Sequence, residues 1–503
     1  MNIKEKYQVE ADGLKVDIRI SEEKGELPTY ELLVLDCGLA TKALLDEIRH
    51  NLVTDVSIGT SEILDPKEID VLKEKFRQKA SRLLSEKIPK IDEDTKIFLI
   101  GTLLHDTIGL GKIEFLLNDG FLEEVVINSA NEPVRVYHKK HGWLKTNFKI
   151  GNEMQIQNFS NIIARRIGRQ ITTLYPLLDA HLVTGDRANA VLFPISNKGN
   201  TITIRKFTRD PWTVTDFINN KTGTAEIFAL IWLAMQYEMN MLISGGTASG
   251  KTSFLNVCMP FIPPNHRLIS IEDTRELQLP EYLYWCPLTT RQPNPEGKGE
   301  ITMLDLLVNS LRMRPDRIIL GEMRKKDQAE VLFEAMHTGH SVYATLHADS
   351  IHETIQRLVN PPIDVPPNML SAVNLNVVMF RDRRRGLRRV HQIGEFILSE
   401  EAEKQTVRPN ILYRWKPAND KIVQHSESVR LFEDISRHTG LDQSEINKDL
   451  ALKTRILNWM VNNSIRGVNN VGKVMNEYYL NTDFLVDIVS KNSKPDKLFR
   501  QNA

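Results

Sequence analysis

Met241-Leu-Ile-Ser-Gly-Gly-Thr-Ala-Ser-Gly-Lys-Thr252 is the stretch from which the rest of the chain is read. Met241 to Ser244 has the length and apolar character of a short buried strand. Gly245 opens the spacing G-x-x-x-x-G-K-T, which closes at Lys251 and Thr252. Ser253 to Met259 continue as a helix, stopped near Pro260, Pro263 and Pro264. A strand, a glycine turn and a helix in that order form the setting of a phosphate-binding loop. Glycines let the backbone curl so that the N–H groups of Gly245, Gly246, Thr247, Ala248, Ser249, Gly250 and Ser253 point toward phosphate oxygens at the helix N-terminus. Lys251 is then placed to reach β- and γ-phosphates, and the Thr252 hydroxyl to hold Mg²⁺. The alternative is a glycine-rich turn with no ligand, and the strand and helix on either side argue against it.

Moving outward, 503 residues are too many for one ordinary core, so two or three domains are expected. Sixty-five basic and sixty-five acidic residues cancel, which counts against a protein that coats nucleic acid. Cys37, Cys258 and Cys286 are far apart with no C-x-x-C, so neither a zinc site nor a disulfide framework is expected, and the reducing cytoplasm is the expected compartment. The opening MNIKEKYQVEADG does not read as a signal peptide. The most apolar run, Ile227 to Met235, is much shorter than a membrane span.

Before the loop, residues 14–20 and 29–35 alternate apolar and polar around a turn with Gly25 and Pro28, which predicts a hairpin. Thr41–Ile58 and Pro66–Ile88 carry helical periodicity. A hairpin and helical subdomain over 1–117 is followed by a change of texture. Strands at Val125–Ile127, Val134–Tyr137, Ala188–Leu192 and Thr201–Arg205, with a helix over Phe159–Ile167, predict an α+β domain over 118–207. Arg187 and Arg205 stand out there, either as surface arginines beside a turn or as arginines aimed at phosphates. Asp210, Pro211 and Trp212 mark a linker over 208–222.

After the loop, strands alternate with helices through 223–408, which implies an α/β domain with a parallel sheet. In such sheets ligands sit beyond the carboxyl ends of the strands. Glu272, Glu322 and His347 fall at three predicted carboxyl ends. No N-K-x-D follows the loop, which disfavours GTP and leaves ATP. The strand ending at Leu320 is followed by Gly321 where an aspartate for Mg²⁺ is usual, so Glu322 is the expected metal holder and Glu272 the expected base for the attacking water, with the reverse assignment open. Strands Val373–Phe380 and Arg389–Ile397 flank Arg381-Asp-Arg-Arg-Arg-Gly-Leu-Arg388, read as a solvated hairpin tip or as a docking patch outside the catalytic machinery. A helical extension over 409–503 is expected to pack on the preceding domain.

Four motifs in order resemble the secretion ATPase superfamily: the phosphate-binding loop, ISIEDTRE at Ile269–Glu276, RPDRIILGEMR at Arg314–Arg324, and the histidine motif from Thr338-Gly-His340 to Thr345-Leu-His347. That family serves type II and type IV secretion, type IV pili and the archaellum. Gly120–Asn147, Tyr175–Arg205 and Lys453–Tyr479 look most like archaeal members, the archaellar motor ATPase in particular. The resemblance implies a RecA-like ATPase domain behind an N-terminal domain and a homo-hexamer. It also implies a polytopic membrane platform protein and filament-assembly accessory proteins as partners, at the inner face of the cytoplasmic membrane. His340 and His347 would be γ-phosphate sensors or interface residues; structural histidines or, with His337, metal ligands are the alternatives. Arg187 and Arg205 match positions that deliver arginines to the nucleotide, from the same chain or a neighbour. No arginine within the loop and carboxylate motifs is expected to reach the γ-phosphate. A nucleic-acid translocase is the competing class, which zero net charge and the lack of a basic-aromatic stripe disfavour.

Overall fold

The polar, charged opening residues, to which the sequence reading assigns no element, form strand β1 (Asn2–Ala11). It pairs antiparallel with β2 (Leu14–Glu22) through a turn at Asp12 and Gly13, both in the left-handed region. Its outer residues are exposed, and interspersed charge suits a strand at a sheet edge. The computed structural model describes residues 2–23, 25–34, 38–55, 66–182, 185–207, 211–293, 296–401 and 404–499. The chain divides into two compact units, Met1–Arg209 and Asp210–Ala503. Leu35, Cys37, residues 56–58 of the expected first helix and Thr184 lie outside the described residues.

The first unit is built on one sheet. To β1 and β2 it adds β3 (Thr29–Leu33), β4 (Leu122–Ile127), β5 (Pro133–His138), β6 (Gly142–Lys149), β7 (Leu177–His181), β8 (Arg187–Val191) and β9 (Thr201–Arg205). The order is β1-β2-β3-β6-β5-β4-β9-β8-β7, with β3 parallel to β6 and the other pairs antiparallel. The expected division at residue 117 therefore runs through a single sheet. Alternation shows that Tyr30 and Leu32 face inward, and both are buried, but it carries no information on which distant strand completes the layer. Three helices, Leu39–Asp55, Pro66–Lys87 and Glu93–Thr107, pack on one another through Ile48, Leu52, Phe76, Leu84 and Leu103.

The second unit is also built on one sheet. Its strands are β10 (Met241–Gly245), β11 (Arg267–Glu272), β12 (Tyr284–Thr289), β13 (Arg317–Leu320), β14 (Ser341–Leu346), β15 (Leu375–Asp382), β16 (Leu387–Glu401), β17 (Lys404–Lys416) and β18 (Lys421–Gln424). Their order is β12-β11-β13-β14-β10-β15-β16-β17-β18, parallel from β12 to β15 and antiparallel beyond. Successive side chains of a strand point to opposite faces. Met241 and Ile243 accordingly enter a core with helix Ala225–Gln236, while Leu242 enters another with helix Lys326–His337. This covering on both faces is why the parallel strands read as near-continuous apolar runs.

Two boundaries differ from expectation. The stretch expected as linker over 208–222 contains helix Val214–Asn219, capped by reciprocal bonds between Thr213 and Asp216. The expected helical extension from 409 begins instead with the rest of β17 and with β18, because Ile411, Tyr413 and Trp415 alternate as a strand does. Helices Gln443–Asn462, Val468–Leu480 and Thr482–Ser490 then pack on the core that holds Met241, through Ile456, Leu457, Met475 and Leu485. No helix among the described residues is long and apolar enough to cross a membrane.

Arg317 enters β13 as a charged residue in an apolar strand and is fully buried. Its guanidinium donates to His266 Nδ1 at 3.0 Å, to Ser341 Oγ and Tyr343 Oη at 2.7 Å each, and to the Met235 carbonyl at 2.8 Å. It thereby joins β13 to β14 and to the end of helix Ala225–Gln236. Arg317→Ala is expected to destabilise the second unit by about 3 kcal/mol, since removing one member of a buried polar network strands the others. Chemical denaturation with unchanged midpoint in that variant would contradict this.

Candidate nucleotide site

At the end of β10 the backbone turns under glycine control. Gly245 has φ of +151°, and a Cβ there would stand 2.5 Å from Ser249 Oγ and 2.6 Å from the Met379 carbonyl, so no side chain fits. Ala248 and Gly250 follow with φ of +59° and +95°, and helix Lys251–Cys258 begins at once. Lys251 bends back over the loop, its Nζ donating to the Gly245 and Gly246 carbonyls at 2.9 and 3.2 Å. Burial lowers its pKa, while Glu322 and Asp349 act to raise it. An ammonium parked on neutral carbonyls between two carboxylates is poised to exchange them for phosphate oxygens.

The strand order decides what faces this loop. β11, β13 and β14 lie side by side, and β14 adjoins β10. Glu272 ends β11, Glu322 follows β13, and His347 follows β14, so all three stand at the carboxyl edge beside the loop. His347 Nε2 lies 3.1 Å from Thr247 Oγ1. Glu272 is 3% exposed. Its Oε1 accepts the N–H groups of Glu276 and Leu277 at 2.9 and 3.1 Å, and its Oε2 is buried with no partner among the described residues. Burial raises the Glu272 pKa to about 7, against the lowering effect of those two N–H groups. A Cβ at Gly321 would stand 3.5 Å from Glu272 Cα and Cγ, an ordinary contact distance, so Gly321 packs directly beside the Glu272 side chain.

Arg324 and Asp273, to which the sequence reading gave no role, complete this edge. Arg324 Nε and Nη2 donate to Glu322 Oε2 at 2.9 and 2.6 Å, and Arg324 Nη1 donates to Asp273 Oδ2 at 3.1 Å. The available signal was spacing: in an extended segment residues two apart share a side, and Arg324 follows Glu322 by two. Arg388 Nε donates to the Ala248 carbonyl at 3.2 Å. Arg388, within the basic hairpin expected to lie outside the catalytic machinery, thus touches the phosphate loop, while Arg324 is held on Glu322 and Asp273. Arg389 is buried and paired with Asp420 at 2.7 and 2.8 Å, whereas Arg383 and Arg384 are exposed.

His340 is also reassigned. It precedes β14 where His347 follows it, and a strand of that length separates them by roughly 20 Å. His340 lines a cavity of about 570 Å³ at the amino ends of the strands, with Asn240, Asn374 and His438. It therefore does not sense a γ-phosphate in its own chain's loop. His337, at the end of helix Lys326–His337, lies on that far side too, and no cluster of three or more potential metal ligands occurs among the described residues.

In the first unit, Arg187 and Arg205 are direct cross-strand partners of β8 and β9. Both are exposed on one face. Arg187 is held by Asp179 through Nε and Nη2 at 3.1 and 2.7 Å, and Arg205 pairs across β4 with Glu124. Like charges set opposite each other cost stability, and here each arginine faces a carboxylate of its own sheet.

A family model described as Type II/IV secretion system protein matches residues 183–391. A protein of Methanocaldococcus jannaschii, MJ0900, described as uncharacterised, is 37% identical over 415 residues, spanning 81% of this chain and 74% of its own. The chain belongs to the type II/IV secretion ATPase superfamily. The type IV secretion system protein PtlH of Bordetella pertussis is 29% identical over 254 residues, 46% of this chain and 74% of PtlH. Among solved structures, the Brucella suis VirB11 ATPase aligns over 55% of this chain and 90% of its own at 24% identity, with a TM-score of 0.29. The pilus retraction motor PilT with bound ADP aligns over 76% of this chain and 96% of its own at 15% identity, with a TM-score of 0.41.

The residues of this secretion ATPase chain suit Mg·ATP chemistry. Thr252, in the first turn of helix Lys251–Cys258, offers a hydroxyl beside the loop, and Arg324 holds one carboxylate oxygen of Glu322 while the other has no partner among the described residues. A hydroxyl and a carboxylate are hard oxygen donors of the kind Mg²⁺ takes together with phosphate oxygens.

Proposed function

We propose that this chain hydrolyses ATP and acts as a homo-hexameric motor, powering assembly or rotation of an archaellum or type IV pilus-like filament. It would dock on a polytopic membrane platform protein, with filament-assembly accessory proteins, at the inner face of the cytoplasmic membrane. The observation that carries the reading is convergence. The phosphate loop, a buried carboxyl group with one unpartnered oxygen, a second carboxylate and a histidine meet at one sheet edge. Identity to a Methanocaldococcus protein over most of both chains supports an archaeal machine.

In this mechanism Lys251 moves from the loop carbonyls to the β- and γ-phosphates. Glu272 orients the attacking water and takes its proton at the unpartnered Oε2. Thr252 and Glu322 would hold Mg²⁺, which supplies positive charge to the phosphates. His347, already on the Thr247 hydroxyl, reports whether a γ-phosphate is present. Arg187 and Arg205 supply further positive charge, and an arginine delivered to a reacting phosphoryl group is worth roughly 10³–10⁵ in rate. We assign them to the neighbouring subunit's site, because supply across an interface couples each hydrolysis step to movement between subunits.

Phosphate release measured for the wild type, Lys251→Ala, Arg205→Ala and an exchanged mixture of the two variants tests this. The wild type should turn over, each variant should be inactive, and the mixture should regain part of the activity, since some sites then combine an intact lysine with an intact arginine. A wild type that releases no phosphate sinks the enzymatic reading. An inactive mixture places the arginines in the same chain's site.

A further inference from the structure

We propose that Arg388 is a nucleotide-binding residue, contacting from the far side of the phosphate loop the phosphate–ribose end that ATP and ADP share. This rests on the loop being a nucleotide site. The sheet is asymmetric about β10. On one side lie β14, β13 and β11, which carry His347, Glu322 and Glu272. On the other lies β15, paired in parallel with β10 from Met241↔Leu375 to Gly245↔Met379, and after it β16. A nucleotide whose γ-phosphate faces the carboxylates must extend its remaining length away from them, toward the β15–β16 hairpin.

Arg388 is the residue of that hairpin laid on the loop. It sits on β16 opposite Arg381. Its Nε donates to the Ala248 carbonyl, and its Cδ lies 3.4 Å from where a Cβ on Gly250 would stand, so the side chain crosses the last turn before helix Lys251–Cys258. It is exposed, and its Nη1 and Nη2 groups have no partner among the described residues. One N–H thus anchors the planar fork while four remain for a ligand, an arrangement suited to two phosphate oxygens or a phosphate and a sugar hydroxyl. The strand is firmly held at the next residue: Arg389 is buried, bonded to Asp420 and to the Asn220 carbonyl at 3.1 Å, and Trp415 Nε1 donates to the same Asp420 at 3.0 Å. Arg388 is therefore presented from a fixed point, unlike Arg383 and Arg384 at the exposed tip.

The test compares dissociation constants for ATP and ADP, and steady-state kcat and KM, in the wild type, Arg388→Ala and Arg388→Lys. Arg388→Ala should weaken ATP and ADP by the same factor, about 10–100-fold for hydrogen bonds to a charged group, with kcat at saturation within about twofold of wild type. Arg388→Lys, which keeps charge but loses the fork, should fall between. Unchanged affinities in Arg388→Ala overturn the inference. So does a loss confined to ATP, which would place Arg388 at the γ-phosphate, and so does a fall in kcat matching the fall in affinity, which would make Arg388 only a prop for the loop that carries Lys251. If the wild type itself binds neither nucleotide, the failure belongs to the nucleotide-site reading.

Discussion

Lys251→Ala is expected to lower phosphate release at saturating Mg·ATP by about 10²–10³-fold or more, the loss typical when one donor to developing charge is removed from a preorganised site. The Lys251 ammonium already lies within the loop, bonded to the Gly245 and Gly246 carbonyls. Those carbonyls are weak competitors for a cation compared with a phosphate group, so binding ATP should draw Lys251 off them. Alanine leaves the loop backbone, including the left-handed Ala248 and Gly250, free to form. The variant should therefore remain folded while turnover is lost. Turnover within a few-fold of wild type at saturating ATP would remove the loop from the catalytic site. Saturation matters, because weaker binding alone lowers the rate at limiting ATP.

The second large effect is at Glu272. Glu272→Gln preserves size and can still accept the Glu276 and Leu277 N–H groups at Oε1, but it cannot take a proton. Turnover should fall by about 10²–10⁴-fold, the range for loss of a general base, with ATP binding retained. The pH dependence gives an independent reading. Burial raises the Glu272 pKa to about 7 from an ordinary 4.5. The base is active when ionised, so kcat/KM in the wild type should climb as pH rises through about 7 and level off above it; in Glu272→Gln that limb should vanish. The same shift acts on stability with the opposite sense. A raised carboxyl pKa means the folded state holds the proton more tightly, so this contribution is full below about pH 4.5 and is lost as pH rises through about 7. The site accepts that loss in exchange for a carboxylate that is a usable base near neutrality. Glu322→Gln should instead change the Mg²⁺ concentration needed for half-maximal rate. Exchange of the two phenotypes would reverse the assignment of base and metal holder and leave the site itself standing.

The legible parts of the chain were those where chemistry is local. The strand, glycine turn and helix from Met241 to Cys258 follow from an apolar run, glycine spacing and a stop at proline, all within one short segment. Glu272, Glu322 and His347 could be placed at a common edge because each follows an apolar run of strand length, and parallel strands bring their carboxyl ends together. Legibility failed where a side chain's role depends on which way the sheet runs or on a residue far along the chain. His340 and His347 belong to one motif, yet a strand lies between them and carries them to opposite edges. Arg324 and Asp273 were quoted within motifs but acquired a role only when β11 and β13 lay side by side. Arg388 lies 140 residues beyond the carbonyl it binds, and no pattern in the basic run separates it from Arg383 or marks Arg389 as buried.

By itself, then, the sequence determined the phosphate loop, the alternation of strands with helices around it, and the pair of carboxylates, Glu272 and Glu322, between which base and metal holder are divided. These depend on backbone freedom at glycine and on periodicity, which are properties of short segments. Only the tertiary structure decided the strand order β12-β11-β13-β14-β10-β15, the merging of β1–β3 with β4–β9, and which face of the loop each charged residue meets. The physical reason is that strand neighbours are chosen by fit between surfaces distant in the chain, and periodicity specifies a buried face without specifying what covers it. The pKa of Glu272 belongs to the same class: a glutamate in a sequence has an ordinary carboxyl group, and it takes the packed surroundings of the folded chain to desolvate it.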